Sequence, residues 1–221
     1  MFKRGFMAKD TKRGTALVNA LKNDELSDLG TDLGEVELDS LLDDGLLKEI
    51  PVIKTILAFS GTIGSIRDYL FTEKLIRFLN GFSELNDAQR INMTDKLNND
   101  DNFAGKAGER LIEIIDRMES ERKPEIAASF LKAFACDRID FSTLRRLIVA
   151  LERIPAFDIA KLDVFSKFNN DRHPDSDFDQ ALMLSFVNAG LGENNGGFGG
   201  GVILPTYLCA IFVKFKEFQP E

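Results

Sequence analysis

Tryptophan is absent from this chain, which has only two tyrosines, two cysteines and one histidine. Each scarcity excludes something. A lone histidine, His173, cannot build a histidine-rich metal site, and no CxxC or Cys/His cluster replaces it, so the sequence offers no metal ligands in zinc spacing. Cys136 and Cys209 lie in apolar runs and read as lone buried thiols of a reducing compartment. No stretch reaches the roughly 20 apolar residues that span a bilayer. The basic start MFKRGFMAKDTKRG has no apolar run behind it and is not a secretory signal. The chain therefore reads as cytoplasmic, with peripheral contact at an inner membrane left open.

Catalytic patterns are missing too. His173 stands in a polar loop beside Pro174, without a Ser or Cys in a nucleophile context. The acidic pairs Asp43/Asp44 and Asp100/Asp101 sit in polar, solvated runs. Asp95, Asp100 and Asp101 lack the alternating spacing, central Gly and final Glu of a calcium loop. The tract Gly196–Gly201 has no Lys and Ser/Thr after it and no strand before it, so it matches neither phosphate-binding glycine motif. No catalytic, cofactor-binding or metal residue is assigned, and a non-enzymatic protein is expected.

What is present is phenylalanine, 19 of them in 221 residues. Phe carries no polar tip, so these rings belong to dry interior or to an apolar surface. The net charge is −8, which repels phosphate backbones and anionic lipids wherever no local basic patch intervenes.

Three regions follow from composition. Residues 1–45 form a basic, then acidic N-terminal segment. Lys3, Arg4, Lys9, Lys12, Arg13 and Lys22 precede a stretch from Asp24 to Glu49 whose one base is Lys48, and the segment reads as mobile. Residues 46–136 form a helical domain that opens on the apolar, glycine-containing run IPVIKTILAFSGTIGSI. Residues 137–221 form a C-terminal module.

Helical periodicity is strongest over Ile63–Phe82. Ile63, Ile66, Leu70, Phe71, Leu75, Phe78, Leu79 and Phe82 fall on one stripe, with Glu73 and Arg77 opposite and an end expected near Asn80–Gly81. Further helices are predicted with Ala107, Leu111, Ile114, Ile115 and Met118 inward, then from Pro124 with Ile126, Phe130, Leu131 and Phe134 inward. A third is capped by Asp140 or Ser142, with Leu144, Leu147, Ile148 and Leu151 inward, and ends at Pro155. AFDIAKLDVFSKF reads as one amphipathic helix. The next has Ser176 and Asp179 as a capping box and a Schellman end at Gly190–Leu191. VILPTY reads as an edge strand, confined there by Pro205, and LCAIFVKFKEF as a last helix or a strand, with helix favoured because Leu208, Ile211, Phe212 and Phe215 share a face. The expected fold is mainly α, a helical array with a small C-terminal β-hairpin.

The ending AGLGENNGGFGGGVILPTYLCAIFVKF resembles the close of a winged-helix domain: helix, glycine wing, strand, helix. The helix at Asp177–Ala189 would stand in the recognition position, yet it has no Lys or Arg. Nucleic acid is therefore the less favoured partner, with Arg145 and Arg146 as its contact residues.

Taken together, IPVIKTILAFSGTIGSIRDYLFTEKLIRFLNGF, AGERLIEIIDRMESERKPEIAASFLKAFACDRIDFSTLRRLIVALERI and the glycine-hairpin ending resemble bacterial and phage-associated helical proteins similar to the Abi-alpha (abortive infection) type. The resemblance spans roughly residues 46–215. It implies a non-enzymatic role in antiviral defence and carries no catalytic residues with it. Read from its residues alone, the run IPVIKTILAFSGTIGSI is foremost buried core, too short at about 25 Å to span a bilayer. On the defence reading Ile53, Ile56, Leu57, Phe59, Ile63 and Ile66 contact a protein partner, a second copy or a membrane surface. The alternative is a nucleoprotein or transcriptional adaptor that works through the C-terminal module.

Overall fold

A computed structural model describes residues 14–22, 66–99, 107–120, 122–169, 178–196 and 201–220. The protein is mainly helical, with a small two-stranded antiparallel sheet near the C-terminus. The apolar run and its contact residues Ile53, Ile56, Leu57, Phe59 and Ile63 lie outside the described residues, and Ile66 is the first residue of a helix. The chain divides into two compact units, residues 1–128 with 220–221, and residues 129–219.

In the first unit, α1 covers residues 14–22. Ala16, Leu17, Ala20 and Leu21 are buried, a spacing that puts them on one helical face. Charge alone had marked this stretch as part of a mobile arm, but four apolar residues in helical register suffice to dock it. Lys22 ties its end to Asp95 by a 2.7 Å ion pair. Next come α2 (Ile66–Asn80), α3 (Asp87–Asn99) and α4 (Ala107–Arg117). α4 packs against both α2 and α3.

The expected stripe of α2 is rotated. Phe71, Leu75, Phe78, Leu79 and Phe82 are buried, but Leu70 is 47% exposed and Glu73, expected on the polar face, is only 6% exposed. The cause is an ion-pair cluster. Arg77 bonds Glu73 one turn back and Glu125 of the next helix at 3.1 Å, which covers the polar side of α2.

That next helix, α5 (Arg122–Ala135), straddles the division between the units. Phe130, Leu131 and Phe134 are buried as their spacing predicts. So are Lys123, Ala127, Ala128, Ser129, Lys132, Ala133 and Ala135. Arg122 is exposed, and Glu125 and Ile126 are half-buried, the latter against the expectation that it points inward, so burial is most complete from Ala127 onward.

The second unit continues with α6 (Phe141–Arg153), a 3-10 turn (Ala156–Lys161), α7 (Leu162–Phe165) and α8 (Gln180–Asn188). After these come β1 (Gly192–Asn194), β2 (Ile203–Pro205) and α9 (Tyr207–Phe215). β1 and β2 pair antiparallel, with Gly192 opposite Pro205 and Asn194 opposite Ile203. Pro205 thus sits at the end of a two-stranded ribbon, where a missing N–H costs least.

Two sequence expectations change here. AFDIAKLDVFSKF is not one helix but a 3-10 turn followed by a single α turn. The 3-10 path buries Asp158, which accepts a 2.9 Å bond from the Ser185 hydroxyl of α8 and pins the turn. Asp179 is not the third residue of a capping box but the cap itself, accepting from the Leu182 N–H at 2.8 Å.

The phenylalanines account for much of the interior of the second unit. Phe165 meets Phe186 in a tilted pair at 4.6 Å and Phe168 edge-on, while Phe168 meets Phe178. Phe130 and Phe212 meet at 5.0 Å in an edge-to-face pair. Burying one such ring contributes about 1.5–3 kcal/mol.

Candidate anion-binding cleft

The register of α6 sorts its residues into two faces. Leu144, Leu147, Ile148 and Leu151 are buried, as their spacing predicts. Ser142, Arg145, Arg146, Val149 and Arg153 fall on the other side, within about 100° of one another at 3.6 residues per turn. These five line a cleft of about 410 Å³.

Its remaining walls come from elsewhere in the same unit. Ala189 and Gly190 are contributed by the end of α8, and Leu208 by the first turn of α9. The end of α8 is fixed by a Schellman motif. The Leu191 N–H donates to the Phe186 carbonyl at 2.8 Å, and the Gly190 N–H to that of Val187 at 2.9 Å. Gly190 has φ +76, the left-handed conformation that glycine adopts most cheaply. The start of α9 is fixed to it, since the Thr206 hydroxyl donates to the Gly190 carbonyl at 3.0 Å and also caps α9 through the Cys209 N–H. At the far end of α9, Lys216 pairs with Asp163 of α7. The cleft walls are thus held by bonded helix ends.

The cleft has a floor and a charged edge. Val149, Ala189 and Leu208 are apolar, whereas Arg145, Arg146 and Arg153 are exposed guanidiniums. Among the described residues, neither Arg145 nor Arg153 takes part in an ion pair or a side-chain hydrogen bond. Arg146 has a charged neighbour in Asp140, the cap of α6. The Asp140 carboxylate accepts the Thr143 N–H at 2.7 Å, and this bond, with help from Arg146, holds its pKa below the usual aspartate value.

Tyr207, next to Leu208 in the chain, is 83% exposed. Cys209, two residues on, is fully buried, and burial followed by the nearby Asp163 charge pushes its thiol up to about 12. It is a neutral packing residue, as expected. Cys136 is half-buried, contrary to the expectation of burial, because it lies in the turn just past the last residue of α5.

Arg145 and Arg146, singled out in the sequence, are therefore brought together. Arg153 was missed, although its spacing of seven and eight from them was readable. Ala189, Gly190 and Leu208 carried no such signal, because only the packing of α8 and α9 places them beside α6.

No protein-family model, curated protein or solved structure matches this chain. Among the described residues no three His, Cys, Asp or Glu side chains form a group that could hold a metal ion, and no helix is long and apolar enough to cross a membrane.

Proposed function

We propose that the protein is a non-enzymatic binding protein that captures an anionic partner in the α6 cleft. The observation that carries this reading is the set of three guanidiniums on one helix face above an apolar floor, two of them without an acidic partner among the described residues. A planar guanidinium matches phosphate or carboxylate with two parallel donors. Ser142 is the one hydroxyl among the lining residues, with no His, Asp or Glu beside it in the lining to act as its base, which favours binding over chemistry. The setting proposed is the one that the Abi-alpha resemblance implies, bacterial antiviral defence.

The reading also relocates the contact surface of the winged-helix-like ending. The helix before the hairpin, α8, reads QALMLSFVN and has no cation. The cations belong to α6. A chain of net charge −8 is repelled by polyanions as a whole, so capture must be local, within a Debye length of roughly 8 Å at physiological salt.

Heparin affinity chromatography tests this directly. The native chain is retained at low ionic strength despite its acidity, and Arg145→Glu with Arg146→Glu releases it. Flow-through of the native chain at low salt would reject the reading.

A further inference from the structure

We infer that the ligand of this cleft is single-stranded nucleic acid, its phosphates on Arg145, Arg146 and Arg153 and a base on Tyr207. The inference rests on the anion-binding reading above and goes further by naming the ligand. Four observations converge on it.

The first is curvature. A helix that reads a duplex must protrude into a major groove about 12 Å wide. The arginine face of α6 is solvent-exposed but is bordered by the end of α8 and the start of α9, so it forms one side of an open cleft rather than a free-standing ridge. An open cationic cleft accepts a strand, whereas a convex ridge accepts a groove.

The second is length. Arg145 and Arg153 are eight residues apart, about 12 Å along the helix axis at 1.5 Å per residue. A nucleic-acid strand in duplex geometry carries a phosphate about every 3.4 Å, so the row spans roughly two to four nucleotides. A lone phosphate or a single carboxylate would leave one end of the row unused.

The third is the aromatic. Tyr207 is 83% exposed, as is Phe157, whereas most aromatic side chains among the described residues are buried, and it follows the Thr206 cap that is bonded to the Gly190 carbonyl in the cleft wall. A solvent-facing aromatic next in the chain to a lining residue, Leu208, offers the kind of face that stacks bases without reading their sequence. The fourth is the floor. Val149, Ala189 and Leu208 offer an apolar bed for a sugar or base face, with no donor set placed to read base edges. The channel is thus expected to bind strands with little sequence preference.

Fluorescence anisotropy of the full-length protein separates the ligand classes. The probes are a labelled 12-nucleotide oligo-dT strand, a duplex of the same length and a 12-residue Asp/Glu-rich peptide, each at about 0.1 M salt. The strand is expected to bind at least tenfold more tightly than the other two. Arg153→Ala should weaken strand binding and reduce the logarithmic salt slope by about 0.7, the share of one phosphate contact on a single strand. Tyr207→Ala should weaken strand binding about tenfold, within the range of one lost stack, and leave heparin retention unchanged. Because Tyr207 is exposed, that variant keeps its core. Equal or tighter duplex binding would overturn the inference while the anion reading stands. So would tighter peptide binding, which would make the partner an acidic protein, or full strand affinity in Tyr207→Ala. Loss of heparin retention by the native chain would instead reject the reading beneath it.

Discussion

Gly14 and Gly108 meet backbone to backbone. A Cβ on Gly108 would lie 1.9 Å from the Gly14 carbonyl oxygen, and one on Gly14 would lie 2.5 Å from the Glu109 nitrogen. The first turns of α1 and α4 therefore cross at a distance that only two glycines allow. This contact, with the buried Leu17 and Leu21, holds α1 in the first unit.

The sign of a glycine-to-alanine change separates this contact from ordinary helix propensity. In a free helix interior, Gly→Ala stabilises by about 0.5–1 kcal/mol. Here Gly108→Ala drives a methyl into backbone that has no rotamer to yield, so a loss of about 2–3 kcal/mol is expected. Gly190→Ala makes a contrasting case. Nothing lies within 4 Å of the added carbon, but φ of +76 is retained at a cost of about 1 kcal/mol. Urea unfolding of both variants checks the order. A stabilised Gly108→Ala would show that α1 does not sit on α4.

Asp140 makes α6 pH-sensitive. Its carboxyl has a folded pKa below the ordinary 3.8, chiefly because the charged form accepts the Thr143 N–H. A depressed carboxylate contributes stability that is present above the unfolded pKa and lost as pH falls through the folded value. Asp140→Ala is expected to lose about 1 kcal/mol at pH 7, the usual worth of such a cap. The gap between native protein and variant should close as pH falls below the ordinary aspartate value. Melting temperatures measured across that fall test it, and a gap independent of pH would assign the cap's value to shape rather than charge.

Much of this architecture was legible because it depends on neighbours in sequence. The Asp140 cap, the Ile154–Pro155 stop and the Gly190–Leu191 ending are all local devices, read from residues no more than five apart. What the sequence hid is set by distant residues. Glu73 looks like a surface acid until Arg77 and Glu125 close over it. AFDIAKLDVFSKF has helical periodicity, but Asp158 is drawn to Ser185, 27 residues away, and the segment tightens into a 3-10 turn. The cleft follows the same rule. The arginine face of α6 could be drawn on a helical wheel, but its walls could not, since they come from residues 189, 190 and 208.

The two thiols should separate cleanly. Cys209 is buried, with its pKa pushed up to about 12, so almost no thiolate exists at pH 8, whereas Cys136 is half-buried. A disulfide-exchange reagent at pH 8 should find one reactive equivalent in the native protein and two in denaturant. Cys136→Ala should remove the fast one. The raised pKa also fixes a sign: stability that depends on the neutral thiol is intact below the unfolded value near 9 and falls as pH rises toward 12. Two fast equivalents in the native state would contradict the placement of Cys209.

The Arg77 cluster offers the sharpest test of the packing of α2. Burial alone lowers the pKa of Arg77, but hydrogen bonds and charge from Glu125 and Glu73 outweigh it and leave the pKa raised. The guanidinium is thus held charged in a site where its partner Glu73 has only 7% of its side chain exposed. Arg77→Met would leave that carboxylate buried beside a thioether and should destabilise by about 2–3 kcal/mol, below the full cost of a wholly buried pair because Glu125 is half-exposed. Glu73→Leu in the same chain removes the buried carboxylate that Arg77 had held and should restore part of the loss. A double-mutant cycle by chemical denaturation reads the coupling between the two positions. Additive losses, with no recovery in the double variant, would mean that Glu73 is solvated in the native state and that α5 does not cover the polar side of α2.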